Sequence, residues 1–203
     1  MSNLSDFSKY IHYNDTNLHS TVLVAFLCPF VWNILARLCN KITANQSRSV
    51  QYTTCYLLAA WIFCFSSYRD YLFSTMLTTQ PKYPVFIQYS DILNIVGPLL
   101  IATGQLFVIT SLYQLGITGT FLGDYCGILM SHRVTAFPFN VLNDPMYVGA
   151  TLSFLGYSLY SYSLTGILVT VWIGILYTIA LQFEGPYTTW IYEEAERKKN
   201  KIL

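Results

Sequence analysis

The sequence predicts an all-α, polytopic integral membrane protein with three or four transmembrane helices. Hydrophobic residues fill 54% of the 203 positions and charged residues only 10%, against roughly 25% charged in a soluble domain. In addition, the apolar stretches Asn94–Leu115 and Thr151–Gln182 are too long for the core of a soluble protein of this size. We therefore expect one membrane-embedded domain over residues 1–203, in which polar residues inside the apolar stretches are functional candidates.

The first apolar segment, Thr21–Leu38, leaves two structures open. Its length is near the lower limit of about 17 residues for a membrane crossing, and Pro29 near its middle removes one helical hydrogen bond. The segment therefore either crosses the membrane or lies within it as a kinked, re-entrant or surface helix. The polar residues before it do not resemble a cleavable signal, so we expect the segment to remain in the mature protein.

The second segment, Thr54–Phe73, is apolar up to the interfacial pair Arg69 and Asp70, and we expect it to cross. The piece from Thr78 to Ser90 contains two prolines, which cannot continue a helix. It is therefore predicted to be an exposed connection.

The third segment, Ile92–Leu115, contains two glycines and a proline that allow a neighbouring backbone or a ligand to come close. The fourth apolar region has two parts. Met146–Tyr162 is only moderately apolar, whereas Leu164–Phe183 is strongly apolar. We therefore expect the second part to be the crossing.

The C-terminal tail is basic and is predicted to be cytoplasmic by the positive-inside rule. Its basic residues are Arg197, Lys198, Lys199 and Lys201. The last five residues resemble a lysine-based retrieval signal for the endoplasmic reticulum, although a plain solvated basic tail explains them as simply.

Charge and cysteine content argue against several classes of protein. The net charge of +1 gives no indication of a nucleic-acid partner. The five cysteines form no C-x-x-C pair and mostly lie in apolar stretches, so neither a disulfide framework nor a metal site is expected. The oligomeric state cannot be inferred from the sequence.

A polar, glycine-rich connection between the third and fourth segments contains the residues best suited to chemistry. Gly119, Gly123 and Gly127 recur every four residues and are consistent with a small helical face packed on another helix. Such packing does not explain the polar residues that share this connection. They are Asp124, His132, Arg133 and Asp144.

This region resembles the phosphatidylethanolamine N-methyltransferase family, the small class II phospholipid methyltransferases. The similarity is concentrated in Leu115–Leu129, Arg133–Asn140 and Asn143–Gly149, and it extends from Pro29–Arg37 to Pro186–Tyr192. Within the family, the chain most resembles the fungal members that add the last two methyl groups.

A narrower element also resembles a wider group of enzymes. Pro145, Tyr147 and Gly149 match the P-x-Y-x-G pattern shared with isoprenylcysteine carboxyl methyltransferases. An enzyme of that kind, or a non-catalytic multispan membrane protein, is therefore an alternative.

The resemblance implies an enzyme that uses S-adenosyl-L-methionine as methyl donor, bound by two family motifs. The G-x-G motif falls on Ala102, Thr103 and Gly104, where alanine replaces the first glycine. The Glu-Glu motif falls on Glu184 and Gly185, where the second carboxylate is missing. We expect weaker or altered cofactor binding as a result.

The resemblance also implies the acceptor and the compartment. The acceptor is the headgroup amine of phosphatidyl-N-methylethanolamine and phosphatidyl-N,N-dimethylethanolamine, and the product is phosphatidylcholine. The family location is the endoplasmic reticulum membrane, with a mitochondrial membrane as the alternative. Arg133 is a candidate partner of the lipid phosphate, because its planar fork suits phosphate oxygens. A role as an interfacial anchor, with the side chain extended toward the headgroups, explains it equally well.

The sequence leaves the proton acceptor open. A headgroup amine must lose a proton before it can attack a methyl group. The candidates at the membrane interface are Asp124, His132, Asp144 and Tyr147.

Overall fold

The computed structural model describes residues 9–200, and within them all regular structure is helical. The predicted all-α fold class is therefore confirmed. Six α-helices occur, with a short 3-10 turn at Gly123–Cys126. The helices are α1 (Thr16–Thr43), α2 (Arg48–Thr79), α3 (Pro84–Gln88), α4 (Ser90–Thr120), α5 (Pro145–Tyr160) and α6 (Leu164–Asn200). The polar start at residues 1–8 and the end of the retrieval-like tail at 201–203 lie outside the described residues.

In the described part of the chain, three helices are long and apolar enough to cross a membrane: α1, α4 with the turn after it, and α6. Helix α1 runs through Pro29 for 28 residues, about 42 Å at 1.5 Å per residue. It is thus long enough for the crossing alternative. Helix α2 has 32 residues, but its composition is not apolar enough to place it among these three helices. Its crossing therefore stays a prediction.

The fourth apolar region divides as the sequence predicted. Helix α5 has 16 residues, about 24 Å, which is short of the ~30 Å hydrocarbon core. Helix α6 has 37 residues and passes through Pro186. The part before Pro186 is by itself long enough to cross the membrane. The prediction that Leu164–Phe183 is the crossing element is supported.

Glycines bring α4 and α5 into close contact. A Cβ atom added at Gly97 would lie 2.9 Å from the carbonyl oxygen of Gly156, and one added at Gly104 would lie 2.3 Å from that of Gly149. Any larger side chain would push the helices apart, because the opposing atoms are backbone. The neighbouring backbone that was expected to come close to the third segment is therefore that of α5.

One local prediction is wrong. The glycine series does not form one helical face, because Gly116, Leu122 and Gly127 adopt positive φ angles of 63°, 56° and 81° and interrupt the helix at and after the end of α4. The predicted connection between Thr78 and Ser90 is present, with its start shifted and a short helix inside it. Helix α2 continues to Thr79, and Pro84 begins α3 at a position where its missing N–H has no cost.

The fold places two polar clusters at opposite ends of the bundle. At one end, Gln80 donates to Asp15 at 2.9 Å and accepts from Thr165 at 2.9 Å, which joins the ends of α1, α2 and α6. The other end holds the 3-10 turn, the first turn of α5 and the second half of α6, and the candidate site lies there.

Candidate active site

A buried carboxylate, Glu184, is the centre of the site. Its Oε1 accepts hydrogen bonds from Trp32 Nε1 at 2.7 Å and Asn33 Nδ2 at 2.8 Å. Its Oε2 accepts from the Tyr147 hydroxyl at 2.7 Å. Only 9% of the residue is exposed. A buried carboxylate with three donors is held in a fixed position, because moving it would break all three hydrogen bonds in a place where water does not replace them.

Three helices supply these groups. Trp32 and Asn33 lie on α1, and Tyr147 lies in the first turn of α5, two residues after Pro145. Glu184 is twenty residues from the start of α6, a rise of about 30 Å, which equals the thickness of the hydrocarbon core. A membrane whose hydrocarbon core begins at the start of α6 would therefore have Glu184 at its opposite boundary, at the depth of lipid headgroups.

Two buried polar atoms beside Glu184 have no hydrogen-bond partner in the structure: Asn33 Oδ1, an acceptor, and Arg37 Nε, a donor. Arg37 is otherwise held, because its Nη2 donates to the carbonyl oxygen of Phe183 at 3.1 Å and its guanidinium lies 4.6 Å from the ring centre of Tyr187. An unpaired buried polar group costs about 1–3 kcal/mol. The pair of atoms therefore points to a polar ligand.

A second chain of contacts leads from Tyr147 into the bundle. Its ring meets the ring of Tyr177 edge to face at 4.9 Å. The Tyr177 hydroxyl accepts from Arg69 Nη1 at 2.5 Å, and Arg69 is also paired with Asp70 at 2.8 Å. These contacts fix the orientation of the Tyr147 ring.

The Tyr147 ring also lines a groove of about 630 Å³ between α5 and α6. One end of the groove is polar, with Asn143 and Asp144 beside Tyr147. The rest is mainly apolar, with Val148, Leu152, Val171 and Ile175 among its lining residues. Tyr147 is therefore common to the groove and to the Glu184 cluster.

The two predicted parts of the cofactor site contact different residues of α5. Gly104 is buried against α5, where a Cβ would lie 2.5 Å from Ser153 Oγ, while Ala102 and Thr103 are exposed on the surface of α4. Glu184 contacts the first turn of α5 through the Tyr147 hydroxyl. Gly185 is exposed, and a Cβ added there would meet no atom within 4 Å.

The polar residues of the connection do not form one cluster. Asp124 is in the 3-10 turn beside α6 and interacts with Thr188. His132 is exposed and shares a hydrogen bond with Ser131. Only Asp144 lines the groove, and Arg133 is close enough to affect its charge.

Sequence reasoning missed Trp32, Asn33, Tyr177 and Arg69 as members of the site. Trp32 and Asn33 lie in the stretch Pro29–Arg37 that carries the family resemblance, and an asparagine in an apolar helix is a signal of function. Their partner, however, is about 150 residues away in the sequence. No local pattern could have connected them.

Comparisons with known proteins agree with this picture. The family described as "Phospholipid methyltransferase" matches residues 92–195. The chain is 40% identical to the phosphatidyl-N-methylethanolamine N-methyltransferase of Neurospora crassa over 98% of this chain and 92% of the relative. For the protein of that name from Saccharomyces cerevisiae the identity is 42%, over 86% and 84%. The phosphatidylethanolamine N-methyltransferase of Rattus norvegicus is 38% identical over 95% and 96%.

No solved structure matches the chain. The predicted resemblance is nevertheless confirmed, since the similarity to curated relatives extends over nearly the full length. The chain is therefore an enzyme of the membrane, and the non-catalytic alternative is set aside. It belongs to the phospholipid methyltransferase family.

Proposed function

We propose that the protein transfers methyl groups from S-adenosyl-L-methionine to the headgroup amines of phosphatidyl-N-methylethanolamine and phosphatidyl-N,N-dimethylethanolamine, giving phosphatidylcholine. The observation that carries the proposal is the buried Glu184 carboxylate, which accepts a hydrogen bond from Tyr147, a residue that also lines the groove between α5 and α6. The names of the fungal relatives support the acceptor.

The residues around Glu184 suit this donor. Its amino-acid part carries an ammonium and a carboxylate, and its ribose carries hydroxyls. The Glu184 carboxylate and the unpaired Asn33 Oδ1 can accept from ammonium or hydroxyl groups, and the unpaired Arg37 Nε can donate to a carboxylate. Glu184 is the residue we assign to the donor, with the exposed backbone at Gly185 next to it.

Gly104 with Ala102 and Thr103 remains the second part of the predicted site, as a proposal. The first turn of α5 lies between this part and Glu184, because Gly104 contacts Gly149 whereas Glu184 contacts Tyr147. Because Gly104 is packed against the backbone of α5, its part in the site would be to hold α4 and α5 together beside the donor.

Bound S-adenosyl-L-methionine supplies a methyl group on a positively charged sulfur. The protein must hold the neutral amine in line with that methyl group, and alignment of two reactants can be worth about 7–11 kcal/mol. Tyr147 is suited to this task, because its hydroxyl is fixed by Glu184 and its ring lines the groove. For the monomethylated substrate, whose neutral amine keeps one N–H, the hydroxyl oxygen can accept a hydrogen bond from that N–H while the hydroxyl itself donates to Glu184 Oε2. The neutral dimethylated amine has no N–H, so Tyr147 can only contact it.

The test is a methyl-transfer assay with purified protein in lipid nanodiscs. Labelled S-adenosyl-L-methionine and monomethylated lipid should give labelled phosphatidylcholine, whereas a prenylated cysteine acceptor offered in parallel should not be labelled. Labelling of the prenylated cysteine alone would assign the chain to the alternative chemistry. No label in either acceptor would overturn the proposal.

We further propose that residues 1–203 act as one domain in the endoplasmic reticulum membrane. The retrieval-like tail supports this location, with a mitochondrial membrane as the alternative. Fluorescence imaging of the full chain, with and without the lysines Lys199 and Lys201 changed to serine, tests it.

A further inference from the structure

We propose that the groove between α5 and α6 is the binding site of the acceptor phospholipid. In this arrangement the headgroup lies at Asp144 and Tyr147 and one acyl chain runs between the two helices. The inference rests on the proposed function and adds where the lipid enters and what selects it.

The shape of the groove matches such a ligand. Its α5 wall runs from Asp144 to Leu152 and its α6 wall from Leu181 to Val171, so each wall is about 12–15 Å long at 1.5 Å per residue. Since α5 and α6 are antiparallel neighbours, the groove runs along the helices rather than across them. A lipid can therefore enter from the side without leaving the bilayer.

The apolar walls alone cannot give selectivity. An acyl chain that moves from the bilayer into the groove leaves one apolar environment for another, so little hydrophobic free energy is gained. Selection must come from the polar end. There, the carboxylate of Asp144 lines the groove, and the positive charge of Arg133 lowers the pKa of that carboxyl.

These two charges are complementary to a zwitterionic headgroup. The carboxylate of Asp144 is suited to the ammonium, and the guanidinium of Arg133 is suited to the phosphate. Burial raises the pKa of the Asp144 carboxyl, and Arg133 opposes that rise. A lipid without an amine, such as phosphatidylglycerol, would leave Asp144 without a cation and should bind poorly.

Tyr147 connects the groove to the proposed donor site. Its ring lines the polar end of the groove, and its hydroxyl is 2.7 Å from Glu184 Oε2. An amine held at Asp144 is therefore one side chain away from the proposed donor site. No other residue of the groove makes a described hydrogen bond to Glu184.

The first experiment maps the lipid on the unaltered protein. A phospholipid with an N-methylethanolamine headgroup and a diazirine on one acyl chain is cross-linked in nanodiscs, and the labelled peptides are identified by mass spectrometry. We expect label around Val148 and Ile175, removed by excess dimethylated lipid but not by phosphatidylglycerol. Label that is equal on the exposed α2 residues Leu57 and Phe63, or insensitive to both competitors, would overturn the proposal.

The second experiment fills the groove. Gly174 lines it, and a Cβ added there would meet only Thr151 Cγ2, at the ordinary contact distance of 3.6 Å. Gly174→Leu should therefore fill part of the groove and raise the KM for monomethylated lipid about tenfold, with the affinity for S-adenosyl-L-methionine unchanged. An unchanged lipid KM in the leucine variant would contradict lipid binding in the groove.

The third experiment tests the headgroup contact. Asp144→Asn should raise the lipid KM about three- to tenfold, since Asp144 is partly solvated. Asp91→Asn is the matched control, because Asp91 is an exposed carboxylate at the opposite end of the bundle. An equal lipid KM in the two variants would show that Asp144 does not bind the headgroup. Failure of the unaltered protein to bind S-adenosyl-L-methionine would instead overturn the proposed function, so the two failures are distinguishable.

Discussion

Replacing Glu184 with glutamine removes its charge while keeping its contacts. Trp32 and Asn33 both donate to Oε1, which glutamine retains as an acceptor. The Tyr147 hydroxyl donates to Oε2, where glutamine would place an amide N–H that can donate to the hydroxyl oxygen instead. The substitution Glu184→Gln is therefore close to isosteric.

The size of the effect follows from this geometry. Hydrogen bonds to a charged group contribute about 1.5–3 kcal/mol and neutral ones about 0.5–1.5 kcal/mol. If the donor makes one such contact to Glu184, Glu184→Gln should cost about 1–2 kcal/mol, or roughly 5- to 30-fold in the Kd of S-adenosyl-L-methionine. Glu184→Ala would leave the Trp32 and Tyr147 donors without an acceptor, while Asn33 Nδ2 would keep only its bond to the carbonyl oxygen of Pro29, and each buried donor left unpaired would cost about 1–3 kcal/mol of stability. The glutamine variant is thus the informative one.

The assay is equilibrium binding of labelled S-adenosyl-L-methionine to protein in nanodiscs, with thermal unfolding as a check on folding. Glu194→Gln is the control, since Glu194 lies on the same helix and only pairs with Arg197 at 3.7 Å near the surface. A folded Glu184→Gln variant whose Kd stays within twofold of the unaltered protein would refute the assignment of Glu184 to the donor.

Three further substitutions have definite expected outcomes. Gly104→Ala should lower the free energy of unfolding by about 1–3 kcal/mol through overpacking against Gly149, measured by thermal unfolding; an unchanged midpoint would contradict it. Gly185→Glu fills open space and should tighten donor binding about fivefold by restoring a carboxylate, measured by the same binding assay. Arg69→Ala should cost about 1–3 kcal/mol of stability, because the buried Tyr177 hydroxyl loses its partner, measured in denaturant.

The sequence predicted what depends on local composition and not what depends on helix placement. Long apolar runs identified α4 and α6 as crossing elements, because hydropathy is a property of the segment itself. The family motif identified Glu184. It could not show that Trp32 and Asn33 on α1 would be its donors, since that depends on how α1 packs along α6.

Residues in the left-handed backbone conformation caused one wrong prediction from the sequence. The regular spacing of the glycines after α4 predicted a helical face, but Leu122 adopts a φ of 56° and begins the 3-10 turn. Leucine rarely takes this conformation, so no residue signal marked the turn. Tertiary contacts compensate for that cost, because the following Tyr125 and Cys126 are fully buried.

The position of α5 gives Gly104 a role that differs from that of Glu184. Successive residues of a helix are about 100° apart, so Tyr147 and Gly149 point to nearly opposite sides of α5. Gly149 contacts Gly104, while Tyr147 contacts Glu184. A side chain at position 104 would therefore shift α5 and with it the Tyr147 hydroxyl. If Gly104 acts in this way, Gly104→Ala lowers kcat and leaves the Kd of S-adenosyl-L-methionine unchanged, whereas a direct ligand contact requires the Kd to rise. The packing of Gly104 against backbone favours the first outcome.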